Sequence, residues 1–447
     1  MGLRQKIRAR TMRCALLCFA LVGVLGAGSS LAAPPPPSGP SGRYVVVLRS
    51  DADVAAVVAD HQRSVGAVVT AEYRAALKGY AAQLTPVAVK ALELDPRVLF
   101  LSLDVDVDAA GDTVPTGVAR IQNNADLAPG RLAQAATSGA NVAVLDTGID
   151  GSHPELDVAG GVNCTSDKLD VATDPAGHGT TVAGIIAARQ NGVGIVGVAP
   201  DTPLWSVRVL KKNGAGSISG VICGLDWATA TRTDTDPTND IAVANLSLTA
   251  KGSDDGACGS VNRDALHAAV CRATAAGIAL VAAVGNDAND LARYLPAAYD
   301  EVVAVTAMTD LDGLEGGLAS TNGTCVPPKE IHRVADDTAL YFSNYATTAL
   351  DGAHTIAAPG TCITSTRPGG GYGVGSGTSF AAAHATGVIA RCFAGGACSG
   401  LSPAAVTADL VGNVTTYNQN DPAYGFAGDP LHPAAGKHFG YLLHACW

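Results

Sequence analysis

Three short segments place residue types that can carry out nucleophilic catalysis beside glycines: Asp146-Thr147-Gly148, His178-Gly179-Thr180 and Gly377-Thr378-Ser379. A serine hydroxyl becomes an effective nucleophile when an imidazole takes its proton, and a carboxylate behind the imidazole holds the required tautomer. Taken alone, each residue has an ordinary explanation: a turn former for the aspartate, a surface or capping residue for the histidine, and a helix N-cap for the serine. Asp first and Ser last is, however, one of the few chain orders that build such a set. The sequence therefore predicts Ser379 as nucleophile, His178 as base and Asp146 as orienter.

Ser379 lies where a glycine-rich turn runs into an alanine-rich segment that is predicted to be helical. Glycine allows a sharp turn, and the start of a helix points free N–H groups and the positive end of its dipole at a developing oxyanion. Asn286 follows the apolar run Val281–Val284, so its side-chain amide would come just after the end of a strand. We expect Asn286 and the Ser379 N–H to form an oxyanion hole.

Short apolar runs alternate with longer helical patterns from about residue 140 onward. The candidate strands are Val142–Leu145, Leu204–Val209, Ile241–Leu246, Ile278–Ala283 and Val302–Val305, and the candidate helices are His178–Gln190, Ser217–Thr229 and Asp264–Ala276. Such alternation predicts an α/β fold, with a mostly parallel sheet flanked by helices on both faces. In such sheets the catalytic and ligand-binding residues lie at the carboxyl ends of the strands, and Asp146 and Asn286 are predicted to lie there.

The N-terminal part of the chain has three predicted segments. Residues 1–32 are typical of a secretory signal peptide, with a basic start, a short apolar run and the small-x-small pattern Ser30-Leu31-Ala32. The alternative, a membrane anchor, is disfavoured because a span needs about 20 apolar residues. Residues 33–41 form a Pro-rich linker, and residues 42–108 read as a small α+β domain.

Charge and cysteine content indicate an exported protein. Removal of the five basic residues of the signal, which contains no acidic residue, takes the formal charge from -11 to -16. An acidic protein of this kind argues against nucleic acid as a partner, and no later stretch is apolar enough to hold the mature form in a membrane. Nine cysteines remain after the signal, which suggests disulfides rather than metal ligands. Spacing favours Cys258–Cys271 and Cys392–Cys398, then Cys325–Cys362 and Cys164–Cys223, with one cysteine left over.

The motifs extend well beyond the three chemical residues. They comprise Asp146 to Leu156, Gly177-His178-Gly179-Thr180 with Val182-Ala183-Gly184, Gly377-Thr378-Ser379 with Ala381 and His384, Ser343-Asn344-Tyr345, Ala358-Pro359-Gly360 and Gly440-Tyr441. Through them, residues 112–447 resemble the peptidase domain of the subtilisin family of serine peptidases, close to its secreted bacterial proteinase K-like branch. The resemblance implies a secreted, monomeric serine endopeptidase that acts on polypeptides through an acyl-enzyme and needs no cofactor for its chemistry. Substrate would pair as an added strand with Ser247-Leu248-Thr249.

Residues 42–108 resemble the inhibitor-type propeptide of the same family, a ferredoxin-like domain, through the stretch from Tyr73 to Ala82 and through Asp95-Pro96-Arg97-Val98. The resemblance implies that this domain is the enzyme's own intramolecular inhibitor. The protein would then be a zymogen that cuts itself between about Asp104 and Thr116.

Several positions depart from the family pattern. Thr181 replaces a histidine, Ala176 an asparagine, Phe380 a methionine and Ala383 a proline. Thr249 replaces a glycine that admits substrate, so we expect a narrowed or reshaped primary specificity pocket. Thr355 replaces an aspartate of a calcium site, with Asp351 four residues earlier, which argues against a structural calcium ion and leaves the metal content undetermined.

Two other functions are compatible with parts of this pattern. The first is a catalytically silent relative used for binding, suggested by the substitutions at Thr181, Thr249 and Ala383. The second is an α/β-hydrolase esterase, but that fold uses Gly-x-Ser-x-Gly and the chain order Ser, Asp, His. The intact chemical residues favour the endopeptidase.

Overall fold

The computed structural model describes residues 42–104, 112–122, 140–320 and 325–445. The chain divides into two compact units, Met1–Asp108 and Ala109–Trp447. The predicted signal peptide, the Pro-rich linker and the last cysteine, Cys446, lie outside the described residues.

The first unit is a four-stranded antiparallel sheet with two helices. Its elements are β1 (Gly42–Leu48), α1 (Val54–Ser64), β2 (Val68–Tyr73), β3 (Gly79–Leu84), α2 (Pro86–Glu93) and β4 (Val98–Leu103), with strand order β2-β3-β1-β4. Thr85 caps α2 through a hydrogen bond to Ala88 N, and Pro86 occupies the first helical turn, where a missing N–H costs nothing. The residues of β2 alternate between exposed and half-buried, so the strand lies with one side towards the core.

The second unit contains the remaining elements. The helices are α3 (Thr116–Gln122), α4 (His178–Ala187), α5 (Ile218–Thr231), α6 (Ala265–Ala275), α7 (Ala349–Gly352), α8 (Thr378–Ala394) and α9 (Pro403–Asn420). The strands are β5 (Asn141–Asp146), β6 (Val158–Asn163), β7 (Leu204–Arg208), β8 (Ile241–Leu246), β9 (Ala250–Lys251), β10 (Ala279–Ala283), β11 (Tyr294–Leu295), β12 (Val302–Thr309), β13 (Thr338–Ala339), β14 (Thr355–Pro359), β15 (Ile363–Arg367), β16 (Gly371–Gly375) and β17 (Tyr441–Leu442).

The central sheet has the order β17-β14-β12-β10-β8-β5-β7-β6, and every pair along this path is parallel. β13 pairs antiparallel with β12. One face packs against α3, α4, α8 and α9, and the other packs against α5 and α6. Alternate residues of β5 point to the two layers, Val142 and Val144 to the first and Ala143 and Leu145 to the second. The predicted α/β fold with helices on both faces is therefore confirmed.

Each predicted strand and helix of the second unit has an observed counterpart with bounds that agree within a few residues, and several observed elements were not predicted, among them β6, β14 and α9. Helix α4 was expected to reach Gln190 but ends at Ala187, because Ala188 leaves the helical conformation (φ -52°, ψ 133°). Strand β6 was not expected, since its sequence Val158-Ala159-Gly160-Gly161-Val162-Asn163 has two glycines and none of its residues is fully buried.

Four disulfides join the cysteines in the pairs that spacing suggested: Cys164–Cys223, Cys258–Cys271, Cys325–Cys362 and Cys392–Cys398. Within the described residues, none of the helices combines the length and the hydropathy that crossing a lipid bilayer would require.

Candidate active site

Asp146 is the last residue of β5, near the middle of the sheet, and it is completely buried. Its Oδ1 accepts a hydrogen bond from Thr147 N at 2.7 Å. Both carboxylate oxygens lie 2.8 Å from Nδ1 of His178. An acceptor at this distance holds the proton on Nδ1 and leaves Nε2 as the basic nitrogen.

His178 is the first residue of α4 and follows Gly177, whose φ of 85° is readily adopted only without a side chain. The imidazole is 34% exposed, so one edge is open to a ligand. The pKa of His178 is raised, mainly by the negative charge of Asp146, while burial lowers it. The hydrogen bond that Nδ1 donates to Asp146 and the charge of Asp174 also raise it. This environment stabilises the imidazolium that forms when a histidine takes a proton.

Ser379 is the second residue of α8. Its hydroxyl donates to the carbonyl oxygen of Ser247 at 3.4 Å. No hydrogen bond joins it to His178 in the structure as described, although the ring of the next residue, Phe380, stacks on the imidazole with centroids 6.0 Å apart. Such bonds are often long before substrate binds, and a rotation about the Ser379 side chain changes its partner. The structure thus joins Asp146 to His178 and leaves the serine bonded elsewhere.

Asn286 and the Ser379 N–H border the same small space. A Cβ placed on Gly377 would lie 3.5 Å from Asn286 Nδ2 and 3.9 Å from Ser379 N. The other end of the amide is fixed, because Asn286 Oδ1 accepts from both N and Oγ1 of Thr378, at 3.0 and 3.1 Å. Neither Asn286 Nδ2 nor Ser379 N has a hydrogen-bond partner among the described residues. Two convergent free donors can bind an oxyanion.

Asn344 organises the turn that carries Asn286, a role that its place in the motif Ser343-Asn344-Tyr345 does not indicate. Its Nδ2 donates to the Val284 carbonyl at 2.7 Å, and its Oδ1 accepts from Asp287 N and Asn289 N at 3.0 and 2.9 Å. Asn344 lies 58 residues from Asn286 along the chain. No local sequence pattern therefore indicates this contact, and the only signal is that an asparagine side chain can both donate and accept hydrogen bonds. The turn is therefore held by side-chain hydrogen bonds from a distant segment.

Ser247, Leu248 and Thr249 line a cleft that also includes His178. The Ser247 hydroxyl donates to the Ser379 carbonyl at 2.8 Å and accepts from Asn245 Nδ2 at 2.9 Å. Through these bonds the segment after β8 is tied to the start of α8. The cleft therefore runs beside the His178 imidazole along the segment that was predicted to bind substrate.

The segment around Thr355 does not fit a calcium site. Thr355 Oγ1 donates to the Asp351 carbonyl at 2.6 Å, and the Asp351 carboxylate accepts from the hydroxyl of Thr348, the N-cap of α7. Neither residue belongs to the groups of His, Cys, Asp and Glu that come close enough together, within the described ranges, to share an ion. A divalent cation would have to displace these hydrogen bonds.

Comparison with known proteins gives a consistent result. The profile of the Subtilase family matches residues 137–427. The M-protease of Shouchella clausii (strain KSM-K16) is 37% identical over 310 residues, which is 69% of this chain and 67% of that protein. Subtilisin E of Bacillus subtilis (strain 168) is 35% identical over 314 residues, 69% of each chain. The crystal structure of a cold adapted subtilisin-like serine proteinase has a TM-score of 0.52 at 27% identity, covering 74% of this chain and 98% of that one.

Proposed function

The chain belongs to the subtilase family of serine-type endopeptidases, and we propose that it is a secreted member that cuts itself out of an inactive precursor and hydrolyses polypeptides at Ser379. The contact of Asp146 with His178 Nδ1, with both oxygens at 2.8 Å, carries the proposal. Burying an unpaired carboxylate costs free energy, and a carboxylate in this position offsets that cost when it stabilises a charged imidazole.

In the proposed mechanism the Ser379 hydroxyl turns from the Ser247 carbonyl to His178 Nε2 and gives up its proton as it attacks a peptide carbonyl. Asp146 keeps the imidazolium oriented and stabilised. The oxyanion accepts from Asn286 Nδ2 and Ser379 N, and His178 then returns the proton to the leaving amine. Water then attacks the acyl carbon as His178 takes its proton, and the C–O bond to Ser379 breaks as His178 returns that proton to the serine oxygen. This chemistry needs no cofactor, and the hydrogen bonds of Thr355 and Asp351 argue against a calcium ion held between them.

The precursor proposal rests on the first compact unit. Residues 42–104 form a sheet and two helices with their own buried core, which is what a separately folding inhibitor domain requires. Expression of the full precursor tests the proposal when the wild type and Ser379→Ala are compared side by side. The wild type should release its N-terminal segment by a cut between about residues 104 and 116, and Ser379→Ala should stay intact. If both are processed alike, self-cleavage is wrong.

Asn286→Leu is expected to lower kcat by about 10²–10³-fold with little change in KM, the magnitude measured for the corresponding donor in subtilisin. The leucine keeps the volume of the side chain and removes the Nδ2 donor. The measurement is steady-state hydrolysis of a chromogenic peptide. Asn289→Leu serves as the control, because the Asn289 side-chain oxygen accepts from the adjacent Asp290 N–H. Equal losses in the two variants would contradict an oxyanion role for Asn286.

Thr249 narrows the space beside the Asn286 turn, which supports the expectation of a reshaped specificity pocket. A Cβ at Gly285 would lie 3.3 Å from Thr249 Cγ2 and 3.3 Å from the ring of Tyr294. The Lys251 ammonium lies 3.5 Å from the centroid of that ring and 3.3 Å from the Asp287 carboxylate. A bulky substrate side chain that enters beside Gly285 would meet the Thr249 methyl group.

The wild type is therefore expected to prefer a small residue, such as alanine, before the cleaved bond. Thr249→Gly should raise kcat/KM for a phenylalanine peptide by about tenfold or more relative to the alanine peptide, because each methylene-sized change in a pocket is worth about 10–200-fold. Both peptides are assayed on both proteins. A wild type that favours phenylalanine would refute this account of the pocket and leave the peptidase proposal standing.

One observation favours a second function, that of a silent binding protein: the Ser379 hydroxyl is bonded to the Ser247 carbonyl and not to the imidazole. In that case the cleft would bind an extended peptide without cutting it. The silent protein would bind peptide with no product formed over days, whereas the peptidase turns it over.

A further inference from the structure

Asp174 is a buried carboxylate close to the candidate site that has no place in the mechanism above. It accepts five hydrogen bonds. Its Oδ1 accepts from Thr147 Oγ1 at 2.8 Å, Gly177 N at 2.9 Å and Ala176 N at 3.2 Å, and its Oδ2 accepts from Thr180 N and Thr180 Oγ1, both at 2.8 Å. A carboxylate that accepts this many hydrogen bonds is fixed in position.

These bonds cap the helix that begins with His178. The N-cap of α4 is Gly177, which has no side chain to accept from the free N–H groups of the first turn. Asp174 supplies the missing acceptor from outside the helix through Gly177 N and Thr180 N, and its charge lies at the positive end of the helix dipole. The position of His178 therefore depends on a residue four positions before it.

The same carboxylate also holds the loop of the proposed orienter. Thr147, the residue after Asp146, donates its hydroxyl to Asp174 and accepts from Gly179 N at 3.0 Å. Thr147, which follows Asp146, and Gly177, which precedes His178, therefore both donate hydrogen bonds to the Asp174 carboxylate. A shift of Asp174 would move the two ends of the 2.8 Å contact between them.

Three charged groups act on the His178 imidazole. Asp146 at the end of β5 and Asp174 in the loop before α4 raise its pKa, and Arg367 at the end of β15 lowers it, as does burial. Asp174 therefore contributes electrostatically to the stability of the imidazolium, although it makes no hydrogen bond with the ring in the part of the chain that the structure describes.

We propose that Asp174 is a positioning residue for His178, which clamps the first turn of α4 to the Asp146 loop and places a second negative charge beside the imidazole. This proposal rests on the proposed function, because it assigns Asp174 a role in the peptidase reaction. A merely structural carboxylate would affect folding and leave the titration of the base unchanged.

Asp174→Asn in the mature enzyme tests this proposal. We expect kcat to fall about 10²-fold with little change in KM, since small displacements of a catalytic group cost about that much. Because the histidine must be neutral to act as base, loss of a charge that raises its pKa should also move the acidic limb of the kcat/KM profile to lower pH. Asp170→Asn is the matched control: it makes the same change at an exposed position of the same loop and should leave kcat and the midpoint at wild-type values.

The proposal would be overturned if Asp174→Asn had the wild-type kcat. It would also be overturned if kcat fell while the midpoint of the acidic limb of the kcat/KM profile stayed at its wild-type pH. If Asp174→Asn does not fold, Thr147→Val decides, because it breaks the clamp and keeps the Asp174 charge. Reduced kcat with the wild-type midpoint then supports the clamp, and wild-type kcat overturns it. A wild-type protein that cleaves no peptide contradicts the proposed function, and the role of Asp174 with it.

Discussion

Ser379→Ala should lower kcat for peptide hydrolysis by about 10⁶-fold, which is the order measured when the serine of subtilisin is removed. The hydroxyl is the only group in the proposed mechanism that forms a bond to the substrate, so no neighbour can replace it. Substrate affinity should change little, because Leu248 and Thr249 still line the cleft when that hydroxyl is removed. Residual turnover would reflect the oxyanion donors and binding alone.

The comparison is made on separately refolded mature protein, because a variant that cannot process itself yields no mature form. Ser376→Ala, three residues earlier in the same glycine-rich stretch, is the control; its hydroxyl accepts from Cys362 N at 3.0 Å and takes no part in the proposed chemistry. Loss of activity in Ser376→Ala together with retention in Ser379→Ala would place the nucleophile elsewhere.

Asp146→Asn is expected to lower kcat by about 10⁴-fold at neutral pH. Both oxygens of Asp146 now face Nδ1 of His178, and an amide in their place can present its NH₂ group to that nitrogen. The imidazole would then carry its proton on Nε2, directed at the serine, and could not act as a base. The stabilisation of the imidazolium by the Asp146 charge would be lost as well.

Steady-state assays of Asp146→Asn beside Asp157→Asn measure this effect. Asp157 forms a half-exposed ion pair with Arg189, so its substitution should leave turnover unchanged. A loss of less than about tenfold in Asp146→Asn would mean that the carboxylate does not orient the base.

The sequence was most informative where chemistry and strand ends coincide. Asp146 could be placed because an apolar strand ends at a carboxylate, and the parallel sheet could be predicted because buried strands alternate with helices. Spacing in the chain favoured two of the disulfides, Cys258–Cys271 and Cys392–Cys398, and indicated the other two less strongly. These features depend on residues that are near one another in sequence or on a repeated pattern.

Other features depend on contacts between distant residues, and no local pattern reports them. Asn344 reaches the turn of Asn286 from a different segment, and Asp174 serves a helix whose own N-cap is a glycine. The partner of the Ser379 hydroxyl was also beyond prediction, because a side-chain rotamer is decided by packing and by the presence of substrate. In the sequence, Asp174-Pro175 is typical of an ordinary turn and gives no sign of this role.

The central claim is that Ser379 is a nucleophile activated by His178. Intact-mass spectrometry of the mature protein after incubation with a fluorophosphonate tests it most directly, since this reagent phosphonylates an activated serine far faster than an ordinary one. The account predicts one adduct per chain, mapped to Ser379 by peptide sequencing, and a strong decrease in labelling rate in His178→Ala. A folded wild-type protein that takes up no adduct, or one labelled at the same rate without His178, would contradict it.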